Sequence, residues 1–266
     1  MAYFVDQQLW VFQQGKTKLL DRWAIDNFAI GDQILCFTNN FDKFMVYSED
    51  SLQVLELWKV NQVKAGDNLI AYLDVNNQFK VFYYGTKELI EEIAPRSFKV
   101  SKNVIAYVSN LEDFVIWDRG VKSTIQYQIP SWYECGEDFV AYVDDMDQFV
   151  VYYLGERFEL LSYKPSMIMI KENIMVYADD FGFLYAFYKG KTIRLQSFVP
   201  DKIAIDNDIV VFKDNYGYLK GMLYGEKTDF SKEIAQDFEV FNQSLVYKVD
   251  RVSWVVFNDG KYYNYP

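Results

Sequence analysis

Histidine is absent from all 266 residues. That removes the commonest general base at neutral pH, Ser-His-Asp and Cys-His hydrolysis, and His-ligated zinc or haem. An enzyme built on this chain would have to work with Asp, Glu, Tyr, Lys or Ser. Proline (5) and glycine (13) are too scarce for a collagen-like or linker-rich chain. Basic charge is in deficit: 27 Lys and Arg face 38 Asp and Glu, for a formal net charge of -11. Nucleic acid is therefore not an expected partner, because phosphate attraction needs a basic surface. No apolar run approaches the roughly 18–20 residues of a membrane span. The N-terminus lacks the basic and apolar regions of a signal peptide. A soluble chain is expected, and a mature exported protein with its signal peptide removed is compatible with it. The compartment is not legible.

What is abundant is aromatic: 22 Tyr, 22 Phe and 6 Trp make up 19% of the residues. Flat side chains suit a pleated surface. They also recur. Asn68-Leu69-Ile70-Ala71-Tyr72 returns at Asn103-Val104-Ile105-Ala106-Tyr107 after 35 residues. The same offset reaches Tyr142, Tyr177, Phe212 and Tyr247 downstream and Phe37 upstream. Units start at positions 31, 66, 101, 136, 171, 206 and 241, and residues 1–30 are an eighth, shortened copy.

Each unit reads as the same string of strands. An apolar run such as Leu69–Leu73 is a strand buried on both faces. A polar tip follows, then a second apolar run such as Phe79–Tyr83. A tight turn comes next, with Gly15, Gly85, Gly120, Gly155, Gly190, Gly225 or Gly260 in it and Asp50 in the one remaining unit. A third, alternating run is ended in four units by Pro95, Pro130, Pro165 or Pro200, and a short fourth strand closes the unit. Four antiparallel strands per unit and no helical stretch predict an all-β fold, a β-propeller of eight blades of about 35 residues, with seven blades as the alternative. It is expected to be a single domain over residues 1–266. Two phasings fit. If the short strand after proline opens a sheet, residues 24–266 hold seven four-stranded blades and residues 1–23 three strands of an eighth. If it closes one, the eighth blade lacks an outer strand instead.

The stretch Val176-Tyr177-Ala178-Asp179-Asp180-Phe181-Gly182-Phe183-Leu184-Tyr185-Ala186-Phe187-Tyr188-Lys189-Gly190-Lys191 resembles the repeat of PQQ-type and BamB-type β-propellers. A weaker copy runs from Phe212 to Leu219. The docking tryptophan of that family is replaced by Leu20, Leu55, Ile90, Ile125, Leu160, Leu195, Phe230 and Tyr265, and no neighbouring cysteine pair is present. The resemblance thus implies a propeller with a non-catalytic role rather than quinone chemistry, and no cofactor is expected.

The tips concentrate carboxylates, twelve against Lys43 and Arg251. The glycine turns carry ten cations against six carboxylates, so one end of every sheet is expected to be acidic. The candidate binding residues are Asp144, Asp145, Asp147, Asp179, Asp180 and Asp214, with the apolar apices Phe41, Leu111, Met146, Phe181 and Tyr216. The competing reading is that Asp simply makes good turns and each apex folds back over its own hairpin. Calcium would need longer, differently spaced loops than Asp144–Asp147 or Asp179–Gly182 provide. Cys36 and Cys135 fall at different repeat positions in apolar strands and read as free thiols. The preferred function is a non-catalytic scaffold for a protein or peptide partner, basic partners being favoured by the field. A carbohydrate-binding propeller is the alternative, and a glycan-active hydrolase or lyase using carboxylates and tyrosine the third reading.

Overall fold

Leu69–Leu73, Val104–Val108 and Ile174–Ala178 are apolar at five consecutive positions, and each forms a strand buried at all five. The computed structural model describes residues 2–13, 15–23 and 26–265. Among these the chain forms 31 strands. The chain divides into two compact units, Met1–Val140 and Ala141–Pro266.

In the first unit, Ala2–Val5, Gln8–Gln13 and Lys16–Asp21 make a three-stranded antiparallel sheet. Three four-stranded sheets follow, spanning Asp26–Glu56, Gln62–Glu91 and Ser97–Gln126. In the second unit, three further four-stranded sheets span Met167–Gln196, Ile203–Asp229 and Asp237–Tyr265. Each four-stranded sheet has an opening strand, two apolar strands and a closing strand, hydrogen-bonded in chain order. The short strand after proline is the opening one, which selects the first of the two phasings. Because the strands alternate in direction, the tip between the two apolar strands lies at the same end of a sheet as the connector leaving its closing strand. The glycine turns lie at the opposite end. There Gly15, Gly85, Gly120, Gly155, Gly190, Gly225 and Gly260 all adopt positive φ, and Asp50 does so at 60°.

Neighbouring sheets share the core. In the first unit, Cys36, Phe44 and Val46 of the second sheet pack with Ile70, Tyr72 and Phe82 of the third. Phe79 of the third meets Tyr107 of the fourth at 5.4 Å between ring centroids. In the second unit, Val176 and Ala186 pack with Val210, Phe212 and Met222. The recurring residues Phe37, Tyr72, Tyr107, Tyr142, Tyr177, Phe212 and Tyr247 are all buried, as the period predicts. The Tyr72 hydroxyl donates to Glu56 at 2.8 Å and the Tyr107 hydroxyl to Glu91 at 2.7 Å, each reaching the closing strand of the preceding sheet. At the glycine end the backbones come close enough to hydrogen-bond across sheets, with Gln33 N donating to Asp67 O at 3.1 Å. A Cβ on Gly66 would stand 1.8 Å from Ser101 O, so only hydrogen fits there. Cys36 is buried, and burial pushes its thiol up to about 12.

Candidate functional site

Six tips are built by their first residue, Asn39, Asp74, Ser109, Asp144, Asp179 or Asp214, whereas in the last sheet Val249 holds that position and Asp250 accepts the Val252 and Ser253 amides instead. Asp144 Oδ1 accepts the Met146 and Gln148 amides at 3.0 and 2.8 Å. Asp179 Oδ1 accepts those of Phe181 and Phe183 at 2.9 and 2.8 Å. Asp214 Oδ1 accepts those of Tyr216 and Tyr218 at 2.9 and 3.0 Å. In the first unit Asn39 and Ser109 do the same for Phe41 and Lys43, and for Leu111 and Asp113. A short side chain that turns back on its own backbone supplies the acceptor that the reversal would otherwise leave to water.

The other carboxylate oxygen is also engaged. Arg157 donates to Asp144 Oδ2 at 3.2 Å, the Tyr185 hydroxyl to Asp179 Oδ2 at 3.3 Å, and Lys220 pairs with Asp214 Oδ2 at 3.0 Å. Burial pushes the Asp214 carboxyl up, but Lys220 and the two amides outweigh it and hold it below the usual carboxylate range. Asp74 behaves alike, against burial, through Lys80 and the amides of Gln78 and Asn76. Asp147, at the fourth tip position, has φ of 60°, like Asp42, Asn77 and Glu112, and glycine takes the place as Gly182 and Gly217. Asp and Asn tolerate that region better than most residues. Asp144, Asp147, Asp179 and Asp214 therefore sit where turn chemistry places them. Asp145 and Asp180 are exposed, at the second tip position, without such a role.

The apices do not fold back. Phe41, Leu111, Met146, Phe181 and Tyr216 are 72–80% exposed. Sequence reasoning missed their neighbours at the same end, the connectors. Trp23, Trp58 and Ile93 recur at one repeat position and are exposed, as are Leu57, Tyr127 and Ile234. The period that exposes them was legible, but the connector read as a proline break and nothing more. Sequence counting also missed Lys80, Arg157 and Lys220, which approach the tip carboxylates from the strands. The tip end is thus less acidic than its turns alone.

Connector and following tip enclose a groove at one repeat position. In the first unit a groove of about 390 Å³ lies between Asp21, Arg22 and Trp23 and the tip residues Asn40 and Phe41. Another, of about 410 Å³, lies between Glu91, Glu92 and Ile93 and the tip carrying Leu111 and Asp113. In the second unit a groove of about 270 Å³ sets the connector residues Lys232 and Glu233 against the strand residues Tyr247, Val255 and Tyr262 instead of a tip. In the first unit the frame repeats while the walls change. Among the described residues, no group of three or more His, Cys, Asp or Glu could hold a metal ion. Among the same residues, no helix is long and apolar enough to cross a membrane.

A family model described as a 10-bladed beta propeller domain matches residues 1–263. It overturns the expectation of eight blades, or seven. Eight is the number of repeats in this chain. The blade number of a ring is set by the angle between neighbouring sheets, which a 35-residue period does not encode. No curated protein matches the chain. Among solved structures it is similar to the ectodomain of the receptor kinase CR4 of Physcomitrella patens, at 8% identity, 89% of this chain, 74% of that chain and a TM-score of 0.43. It is also similar to the CRINKLY WD40 ectodomain of the receptor kinase ACR4 of Arabidopsis thaliana, at 9%, 89%, 96% and 0.40. A third is Prp20p of Saccharomyces cerevisiae, at 11%, 87%, 71% and 0.38.

Proposed function

The chain belongs to the ten-bladed β-propeller domain family, and from that premise we propose that it is a non-catalytic scaffold binding a protein or peptide partner along the tip end of its sheets. One observation carries the reading: apolar side chains at successive apices are exposed, on turns made rigid by side-chain hydrogen bonds. Exposed apolar residues occurring singly need no explanation, but a recurring row of them marks an interaction surface. Rigid presentation reduces the entropy lost on binding. In the second unit Met146, Phe181 and Tyr216 supply contact area, and the exposed Asp145 and Asp180 favour a basic partner.

The test replaces Met146, Phe181 and Tyr216 together by Ser. All three are exposed, so thermal stability should stay within a few degrees of the parent. Photo-crosslinking from position 180 in native lysate, read by mass spectrometry, should identify a partner. Its measured affinity should fall by about tenfold or more in the triple variant. Charge reversal at Lys191 and Lys227, at the glycine end, should leave it unchanged. An unaffected partner in the triple variant, with loss in the charge-reversed one, sinks the proposal.

A further inference from the structure

The groove between the first connector and the second tip differs in chemistry from its repeat-equivalents. Trp23 and Phe41, 60% and 72% exposed, both line it. Their backbones are pinned: Asp21 Oδ1 accepts the Trp23 amide at 3.0 Å, and Asn39 Oδ1 the Phe41 amide at 3.0 Å. Arg22 and Asn40 line the same groove. Their side chains make no hydrogen bond or ion pair among the described residues, so a guanidinium and an amide stand uncommitted beside the aromatic rings. The equivalent groove two repeats on has Ile93 and Leu111 in place of the aromatics. Its Glu91 is committed to Lys122 and to the Tyr107 hydroxyl, each at 2.7 Å.

We propose that the Trp23–Phe41 groove is a saccharide subsite for an uncharged pyranose. A pyranose presents an apolar C–H face and a rim of hydroxyls, each both donor and acceptor. Polarised C–H groups are attracted to the electron-rich face of an aromatic ring. A carboxylate, a guanidinium and an amide together offer the rim both donors and acceptors. The groove is shallow and open, which suits one face of a sugar ring laid on an exposed aromatic side chain rather than an enclosed ligand. Asp21 and Arg22 line the groove side by side, so its local charge is balanced and favours neither an anionic nor a cationic sugar. The site shares Phe41 with the row of apices but uses none of Met146, Phe181 or Tyr216, so the variants that test the protein-partner reading and those that test this one fail separately.

The test is isothermal titration of the full chain with oligosaccharides of glucose, galactose, mannose and N-acetylglucosamine, with the tryptophan indole N–H resonances followed in parallel. At least one series should bind and move the Trp23 resonance. Trp23→Ala should weaken it by about tenfold or more, a stacked aromatic anchor being the dominant contact, and Trp23→Phe should restore most of the loss. Arg22→Ala and Asn40→Ala should each weaken it several-fold, and Ile93→Ala should change nothing. The proposal is overturned by no binding of any series up to about 10 mM, a concentration at which even a weak single-sugar contact registers. It is equally overturned by binding indifferent to Trp23→Ala, or by equal losses from Trp23→Ala and Ile93→Ala. A Trp23→Ala variant that loses a protein partner and binds no glycan overturns it in favour of a protein contact.

Discussion

Asp214 shows how one side chain serves a turn. It sits in a buried position with both oxygens engaged, by the amides of Tyr216 and Tyr218 and by Lys220. Asp214→Ala should cost about 1–3 kcal/mol, because the two tip amides lose their acceptor. Asp214→Asn should cost less, since the amide oxygen still accepts. The pH dependence follows from the depressed carboxyl. The stabilisation is complete above the unfolded carboxyl pKa of about 4 and is lost as pH falls through the lower folded value. Denaturant titrations of the parent between about pH 5 and 2 should show that loss, and Asp214→Asn should flatten it. Asp145→Asn, at an exposed site with no turn role, should leave stability at neutral pH within about 0.5 kcal/mol of the parent. In the sequence, Asp144, Asp145, Asp179, Asp180 and Asp214 read alike. Residue type identifies a turn-forming carboxylate, but which of two adjacent aspartates folds inward depends on the strand register around it.

At the scale of the element, the two classes of glycine separate. Gly120 has φ of 91° and open space where a Cβ would point, whereas Gly66 would place a Cβ 1.8 Å from Ser101 O of the next sheet. Gly120→Ala should cost about 1 kcal/mol, the strain of holding a side chain at positive φ. Gly66→Ala must push two sheets apart and should cost clearly more, measured as a difference in chemical-denaturation midpoint. Hairpin glycines were legible from position alone. Gly31 and Gly66 were not singled out, because close approach between sheets leaves no local sequence signal. The strands were legible for the converse reason: five apolar residues between polar tips have no placement other than burial on both faces.

The whole molecule rests on a repeated tyrosine. Tyr177 is 1% exposed and packs on Phe149 at 5.4 Å between ring centroids. Tyr177→Ala should cost about 3–5 kcal/mol by calorimetry or denaturant titration. Burial pushes the phenols of Tyr142, Tyr177 and Tyr247 up to about 12. A folded-state pKa above the unfolded value of about 10 means that the stabilisation is complete below about pH 10 and lost as pH rises towards 12. The ionisation of the buried phenol, isolated as the ultraviolet absorbance difference between the parent and Tyr177→Phe, should therefore coincide with loss of the near-ultraviolet circular dichroism. Ionisation well before unfolding would show these phenols to be solvated.

The sequence alone determined the all-β repeat, the run of strands along it, the buried tyrosine position and the hairpin glycines. Each of these is set by periodicity, by hydrophobic patterning or by backbone chemistry within a few residues. Which strand opens a sheet was decided by the tertiary structure. The sequence also located the apices Phe41, Leu111, Met146, Phe181 and Tyr216 at the tips. Their exposure was decided only by tertiary structure, because nothing in a five-residue tip says whether its apex packs inward. The same holds for the pairing of Asp144 with Arg157 and of Asp214 with Lys220, which places cations among carboxylates that looked unopposed. It holds again for Trp23 and Phe41, distant in the repeat and brought to one groove by the packing of a connector against the following sheet. Local order follows from local chemistry, whereas a site depends on which surfaces the stacking of sheets brings face to face.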